Sequence, residues 1–256
     1  MGQEIRGIFI DLGGTFRVVC ENKPYSDDAK RRIAALCGTD MDPEAFHTML
    51  DKRYDGYRDW ALKFMCEAPE TMLWTRWLTP EFDRARIEKN AAELTYLYRR
   101  AKGERRVVPG GIETVKELFA RGYTLGIISD LIGCQEIDEW LDADGLRPYF
   151  KTVQQSSITM LRKPHPAIYF LALSEAGLRP EESAFVGDNL KRDIIGAKAS
   201  GFAKTIAVDY PDAAPLKLTE ENQPDGIITR FDQLLDVFPG APDFREDAME
   251  KRRVLS

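Results

Sequence analysis

The sequence predicts an α/β fold, a parallel sheet with helices on both faces, interrupted by a helical insert. Three observations predict it. From Val107 onward, short apolar runs alternate with amphipathic segments, the pattern of a buried parallel sheet and its covering helices. Residues 17–106 have another texture, rich in Trp, Tyr, Met, Arg and Glu and patterned as helix almost throughout. Ahead of both lies the apolar run Ile8-Phe9-Ile10, which places Asp11 at the carboxyl end of a buried strand.

The elements follow in order. In the insert, Trp60, Phe64, Met72, Trp74 and Trp77 supply the apolar faces of packed helices rather than a stacking platform for a ligand. Ile112, Val115, Leu118 and Phe119 share one helical face, and Gly122 stops that helix. Tyr123–Ile128 is a buried strand that ends at Ser129. Pro166 opens a helix that runs to Ala176, with Gly177 in the stop position. Ser183–Val186 is the next strand and runs out into Gly187-Asp188. A helix over Lys191–Ser200 closes at Gly201 and precedes a strand at Lys204–Val208. Pro211–Pro224 is a surface loop, Gly226–Ile228 a last strand and Phe231–Val237 a last helix. The tail after Pro239 is polar and is expected to be poorly ordered.

Composition narrows the function. The chain has 256 residues, room for a core plus an insertion, and a net charge of −6. That charge argues against broad binding to nucleic acid or to an anionic membrane. Cys20, Cys37, Cys66 and Cys134 show no CxxC pair and no metal-ligand spacing, as expected of buried free thiols in a reducing cytoplasm. No apolar run approaches the roughly 18–20 residues that span a bilayer, and no signal peptide is apparent, so a cytoplasmic protein is expected. Only two histidines exist, His47 and His165, and no G-x-S-x-G turn accompanies them. Carboxylates and lysines must carry the chemistry. His165 is assigned a local hydrogen bond in its loop.

In a parallel α/β sheet, ligands bind at the carboxyl ends of the strands. The residues falling there are Asp11, Ser129 and Asp188, and Lys163 stands in a loop just before a helix. Two carboxylates can hold a divalent cation such as Mg²⁺. A hydroxyl and a lysine can grip phosphate oxygens, and a carboxylate beside the cation can take a phosphoryl group covalently.

These residues, in this order, resemble the haloacid dehalogenase-like superfamily over nearly the whole chain apart from the tail. Asp11 matches the nucleophile of the first motif, Ser129 the phosphate-binding hydroxyl of the second, and Lys163 the lysine of the third. Gly187-Asp188-Asn189-Leu190-Lys191-Arg192-Asp193 matches the acidic fourth motif, and Ile195–Gly201 continues its usual helix. The resemblance implies a Rossmann-like core over 1–16 and 107–238, and a helical cap over 17–106 that selects substrate. It implies a small phosphorylated substrate, Mg²⁺ held by Asp11, the Gly13 carbonyl, Asp188 and Asp193, and substrate contacts from Gly14, Thr15 and Asp130. The sequence sets no oligomeric state.

Phosphatases of that superfamily carry an aspartate two residues past the nucleophile, which protonates the leaving group and then activates water. Here that residue is Gly13. General acid–base help is worth about 10²–10⁴-fold in rate. Three outcomes are open: esters whose leaving groups need little protonation, another acid such as Asp130 or a cap carboxylate, or a binding protein without fast chemistry. Carbon–phosphorus hydrolysis through a cap lysine would need Lys52 or Lys63 in a context neither shows, and the fourth motif has the metal-binding rather than the dehalogenase form. Asp11–Val19 also resembles the first phosphate loop of hexokinase-type kinases, but a second phosphate loop and an adenosine site have no counterpart.

Overall fold

The structure is a computed structural model and describes residues 4–242. Strand β1 (Gly7–Ile10) is buried at every residue, as a central parallel strand must be. Ile8 and Ile10 join the hydrophobic cluster on one face of the sheet, whereas Phe9 joins the cluster on the other. The Asp11 amide donates to Val186 O at 2.9 Å, so the ladder continues to the residue that carries the carboxylate.

The chain then turns tightly. Phe16 N and Arg17 N both donate to Leu12 O, and Gly14 takes φ +84°, a conformation that favours glycine. Strand β2 (Arg17–Cys20) follows, and after it the helices α1 (Lys23–Cys37), α2 (Pro43–Phe64) and α3 (Glu70–Met72). A π-helical turn over Leu73–Leu78 leads on to α4 (Arg84–Ala101). Asn22, Asp42 and Asp83 accept backbone N–H bonds at the starts of α1, α2 and α4. These helices bury their own cluster around Phe46, Leu50, Tyr57, Trp74, Leu94 and Leu97, and the Trp74 indole N–H donates to Thr95 Oγ1 at 2.9 Å. Trp60, Met72 and Trp77 pack against that cluster. Phe64 does not, because it ends α2 and is 55% exposed.

Strand β3 (Glu104–Val107) returns antiparallel to β2, with Arg17 opposite Val107 and Cys20 opposite Glu104. The insert is therefore not helical throughout, since a two-stranded ribbon forms both of its connections to the sheet. Next come α5 (Gly111–Ala120), β4 (Thr124–Ser129), α6 (Glu136–Ala143) and β5 (Phe150–Gln155). Then follow α7 (Ser156–Thr159), α8 (Pro166–Ala176) and β6 (Ser183–Gly187). The chain closes with α9 (Gly196–Ala199), β7 (Lys204–Val208), β8 (Gly226–Ile228) and α10 (Leu234–Val237). The large sheet has the order β5-β4-β1-β6-β7-β8 and every pairing in it is parallel.

Three expectations shift. The helix over Lys191–Ser200 begins at Leu190 as a π-helical turn and becomes α only at Gly196. The last helix starts as a 3₁₀ turn at Phe231. All four cysteines are free thiols, but only Cys37 is buried. His165 behaves as expected: its Nδ1 accepts from Ala167 N and caps α8. Of the tail, Gly240 N donates to the Tyr123 hydroxyl and Ala241 N to Arg121 O; the expectation for residues 243–256 lies outside the described residues. No helix among the described residues is long and apolar enough to cross a membrane.

Candidate active site

The sheet reverses its order between β1 and β6, and Asp11 and Asp188 flank that switch point at the strands' carboxyl ends. Lys163 arrives from the loop between α7 and α8. It is fully buried, and its Nζ donates to Asp11 Oδ1 at 2.7 Å and to Asp193 Oδ1 at 2.6 Å. Burial alone would lower the lysine pKa, but Asp11 and Asp193 outweigh it and the ammonium is held more firmly than usual. Thr15 Oγ1 donates to Asp188 Oδ1 at 3.3 Å and lies 3.5 Å from Asp11 Oδ2. Its hydroxyl is thus turned towards the carboxylates, and its carbonyl accepts from the Tyr210 hydroxyl at 2.6 Å.

Two glycines make room for this crowding. A Cβ on Gly14 would fall inside the Asp188 carboxylate, and one on Gly187 inside that of Asp193. Gly13 differs: it is exposed, and a Cβ there would meet nothing within 4 Å. Ser129 is buried as the last residue of β4. Beside it, Asp130 Oδ1 accepts from Lys163 N at 2.9 Å and so fixes the backbone of the lysine loop.

Carboxylate oxygens of Asp11, Asp188 and Asp193 all lie within 4.8 Å of one another. Burial pushes Asp11 up to about 7; Lys163 opposes the shift, while Asp193 and Asp188 add to it. Burial and Asp193 likewise raise Asp188. Two buried carboxylates and the half-buried Asp188 round one ammonium leave negative charge uncompensated, which is costly in a low-dielectric site. A divalent cation removes that surplus, and an all-oxygen donor set suits a hard ion such as Mg²⁺. The residues present fit the metal.

A second ionic group abuts the first. Asp130 Oδ2 lies 3.7 Å from Arg162 Nη2 and 3.5 Å from Arg192 Nη1. Arg162 Nη1 also donates to Glu67, whose carboxylate accepts from the Tyr57 hydroxyl and, at 2.7 Å, from Ser156 Oγ. Backbone bonds accompany the pair: Glu67 N donates to Met160 O and Arg162 N to Met65 O, both at 3.0 Å. The helical insert is thereby strapped to the loop that carries Lys163.

The sequence-derived residues Asp11, Thr15, Lys163, Asp188 and Asp193 thus meet at one point, with Gly14, Ser129 and Asp130 around it. Glu67, Arg162, Arg192 and Tyr210 were not foreseen. Arg162 and Arg192 adjoin motif residues, the one signal that marks them; nothing local marks Glu67 or Tyr210.

The chain is similar to several known proteins. The chain is 38% identical over 132 residues to the glyceraldehyde 3-phosphate phosphatase of Pyrococcus furiosus, covering 52% of this chain and 54% of that protein. The matched region is thus about half of that relative. It is 27% identical over 241 residues to the phosphoglycolate phosphatase of Salmonella typhimurium, covering 91% and 92% of the two chains. Among solved structures, the 2-haloacid dehalogenase of Pseudomonas syringae superposes with a TM-score of 0.66 at 22% identity, covering 91% of this chain and 97% of that one, a likeness of fold. The family described as haloacid dehalogenase-like hydrolase matches residues 5–201. With its parallel sheet and the acidic cluster at the switch point, the chain belongs to the haloacid dehalogenase-like hydrolases.

Proposed function

We propose that the protein is a Mg²⁺-dependent phosphatase of a small phosphorylated molecule, working through a phosphoaspartate on Asp11. The observation that carries this is Lys163 Nζ wedged between Asp11 and Asp193 beside the open triad of carboxylates. The names of the curated relatives point the same way. Asp11, Asp188 and Asp193, with the Gly13 carbonyl, are the residues that would hold Mg²⁺. When bound, the ion neutralises charge on the transferring phosphoryl group. Lys163 orients Asp11 and compensates phosphate charge, and Ser129 and Asp130 hold the phosphate-side wall. Residues 1–16 with 107–238 form the catalytic core, and 17–106 form the cap.

A second reading, a binding protein for a phosphorylated ligand, is favoured by one observation: Gly13 offers no acid. Turnover of p-nitrophenyl phosphate with Mg²⁺ separates the two. For an enzyme, Asp11→Asn abolishes turnover. Gly13→Asp, which finds open space, raises it on alkyl esters by about 10²–10⁴-fold. No turnover by the unsubstituted chain across a broad panel of phosphoesters, with activity gained only in Gly13→Asp, would sink the enzyme reading.

A further inference from the structure

A cavity of about 800 Å³ opens beside the carboxylates, over the carboxyl ends of β7 and β8 and beneath the β2 strand. Gly14 and Asp188 are among its lining residues, so it reaches one carboxylate of the triad. Its walls are mainly apolar: Val18, Val108, Val208, Leu216 and Phe231 contribute, Asp212, Thr229 and Asp232 are its further polar members, and Tyr210 also lines it with its hydroxyl engaged on Thr15 O. The one arginine among its described lining residues, Arg230, donates to Asp232 Oδ1 at 3.1 Å, so its charge is already partnered. The volume lies within the roughly 300–1,000 Å³ range of pockets that take drug-sized ligands. Such walls suit a flat or branched hydrocarbon surface and are poorly matched to a second carboxylate or a string of hydroxyls.

Gly13 supplies an independent constraint. With no acid at Gly13, and with the Asp130 carboxylate facing Arg162 and Arg192, the departing oxygen is left to carry its own negative charge. A phenol, with a pKa of about 10 like the tyrosine side chain, does this far more readily than an alkyl alcohol, which is a much weaker acid. An apolar chamber and a missing acid converge on one chemistry.

We infer that the substrates are aryl phosphate monoesters, with the aromatic leaving group seated in this cavity. The inference rests on the phosphatase reading of Asp11. An oxygen of Asp11 forms the new bond to phosphorus as the phosphorus–oxygen bond to the aryl group breaks, and the aryl oxide departs with the electron pair. Water then attacks phosphorus, and the bond to Asp11 breaks with its electrons returning to the carboxylate. Of the two water protons, one stays on phosphate and the other reaches the aryl oxide through solvent.

The test measures kcat/KM of the full chain with Mg²⁺ on 1-naphthyl phosphate, phenyl phosphate, ethyl phosphate and 2-phosphoglycolate. The naphthyl ester is expected to exceed 2-phosphoglycolate by about 10²-fold and phenyl phosphate by about fivefold. Ala214→Trp, which fills the cavity from its loop, is expected to erase the naphthyl-over-phenyl ratio, a quantity that does not depend on how much protein is folded. Calorimetry supplies a readout without turnover: 1-naphthylmethylphosphonate should bind at least tenfold more tightly than methylphosphonate. Hydrolysis of ethyl phosphate or 2-phosphoglycolate in preference to the aryl esters overturns the inference and leaves the phosphatase standing. An unchanged ratio in Ala214→Trp, or equal phosphonate affinities, overturns the assignment of the cavity. No hydrolysis of any ester overturns both.

Discussion

Two ionic groups lie side by side at the carboxyl ends of the strands, and their charge balance differs. Around Lys163 stand Asp11, Asp188 and Asp193, one cation among three carboxylates. Around Arg162 stand Glu67, Asp130 and Arg192, two cations matched to two carboxylates, with Arg192 also acting on Asp193 and Asp11 from the side. Charges buried in balance hold structure together, whereas charges buried in surplus create demand for a ligand. Similar residue types thus leave different charge balances, and the difference lies in the count.

Substitutions at each group should part company. The largest effect is expected for Lys163→Met, which leaves the surplus unrelieved at the reacting carboxylate. Turnover of p-nitrophenyl phosphate should fall about 10²–10³-fold, as when one charge-stabilising group is removed. Next, Glu67→Gln breaks the balanced group by removing one of the two carboxylates that face Arg162 and leaving Asp130 at 3.7 Å, and urea unfolding should show a loss of about 3 kcal/mol. At temperatures where Glu67→Gln remains folded, its kcat should change much less than that of Lys163→Met. If the two variants lose activity alike, the division into a reacting and a fastening group is wrong.

Metal addition probes the same contrast from the ligand side. Mg²⁺ at 100 times its Kd should stabilise the protein by about 2.7 kcal/mol, read as a rise in melting temperature. Asp188→Asn should abolish that rise, while Glu67→Gln should keep it. The smallest effect belongs to His47 in the helical cluster. Burial lowers its pKa below the ordinary 6.5, against the upward pull of Asp51, with Lys30, Lys102 and Glu44 also facing it. The folded state therefore binds this proton less readily than the unfolded chain. The stability due to neutral His47 is complete above pH 6.5 and is lost as the pH falls below it. Melting curves from pH 7.5 to 5 should flatten in His47→Gln.

Much of this was legible in the sequence because the signals were local. The apolar runs marked β1, β6, β7 and β8 nearly to the residue, and Pro166 and Gly177 bracketed α8. What stayed hidden depends on partners far away in the chain. Arg17–Cys20 reads as a strand only once Glu104–Val107 is laid against it. Strand β5, Phe-Lys-Thr-Val-Gln-Gln, lies at the sheet edge, where polar residues blunt its apolar pattern. At the site, the motifs foretold which residues meet, but not that Thr15 faces the carboxylates or that Glu67 reaches Arg162.

The strap formed by Met65–Glu67 on Met160–Arg162 changes the kind of motion open to the helical body. A body carried by the ribbon alone would drift through a continuum of angles, like a flag on its pole. With the strap in place, rotation is resisted by two backbone hydrogen bonds and a buried ion pair, in addition to the Arg99–Glu136 pair and the bond from Cys134 N to Glu70. Any opening of the insert must therefore bare Glu67 and Arg162 to water.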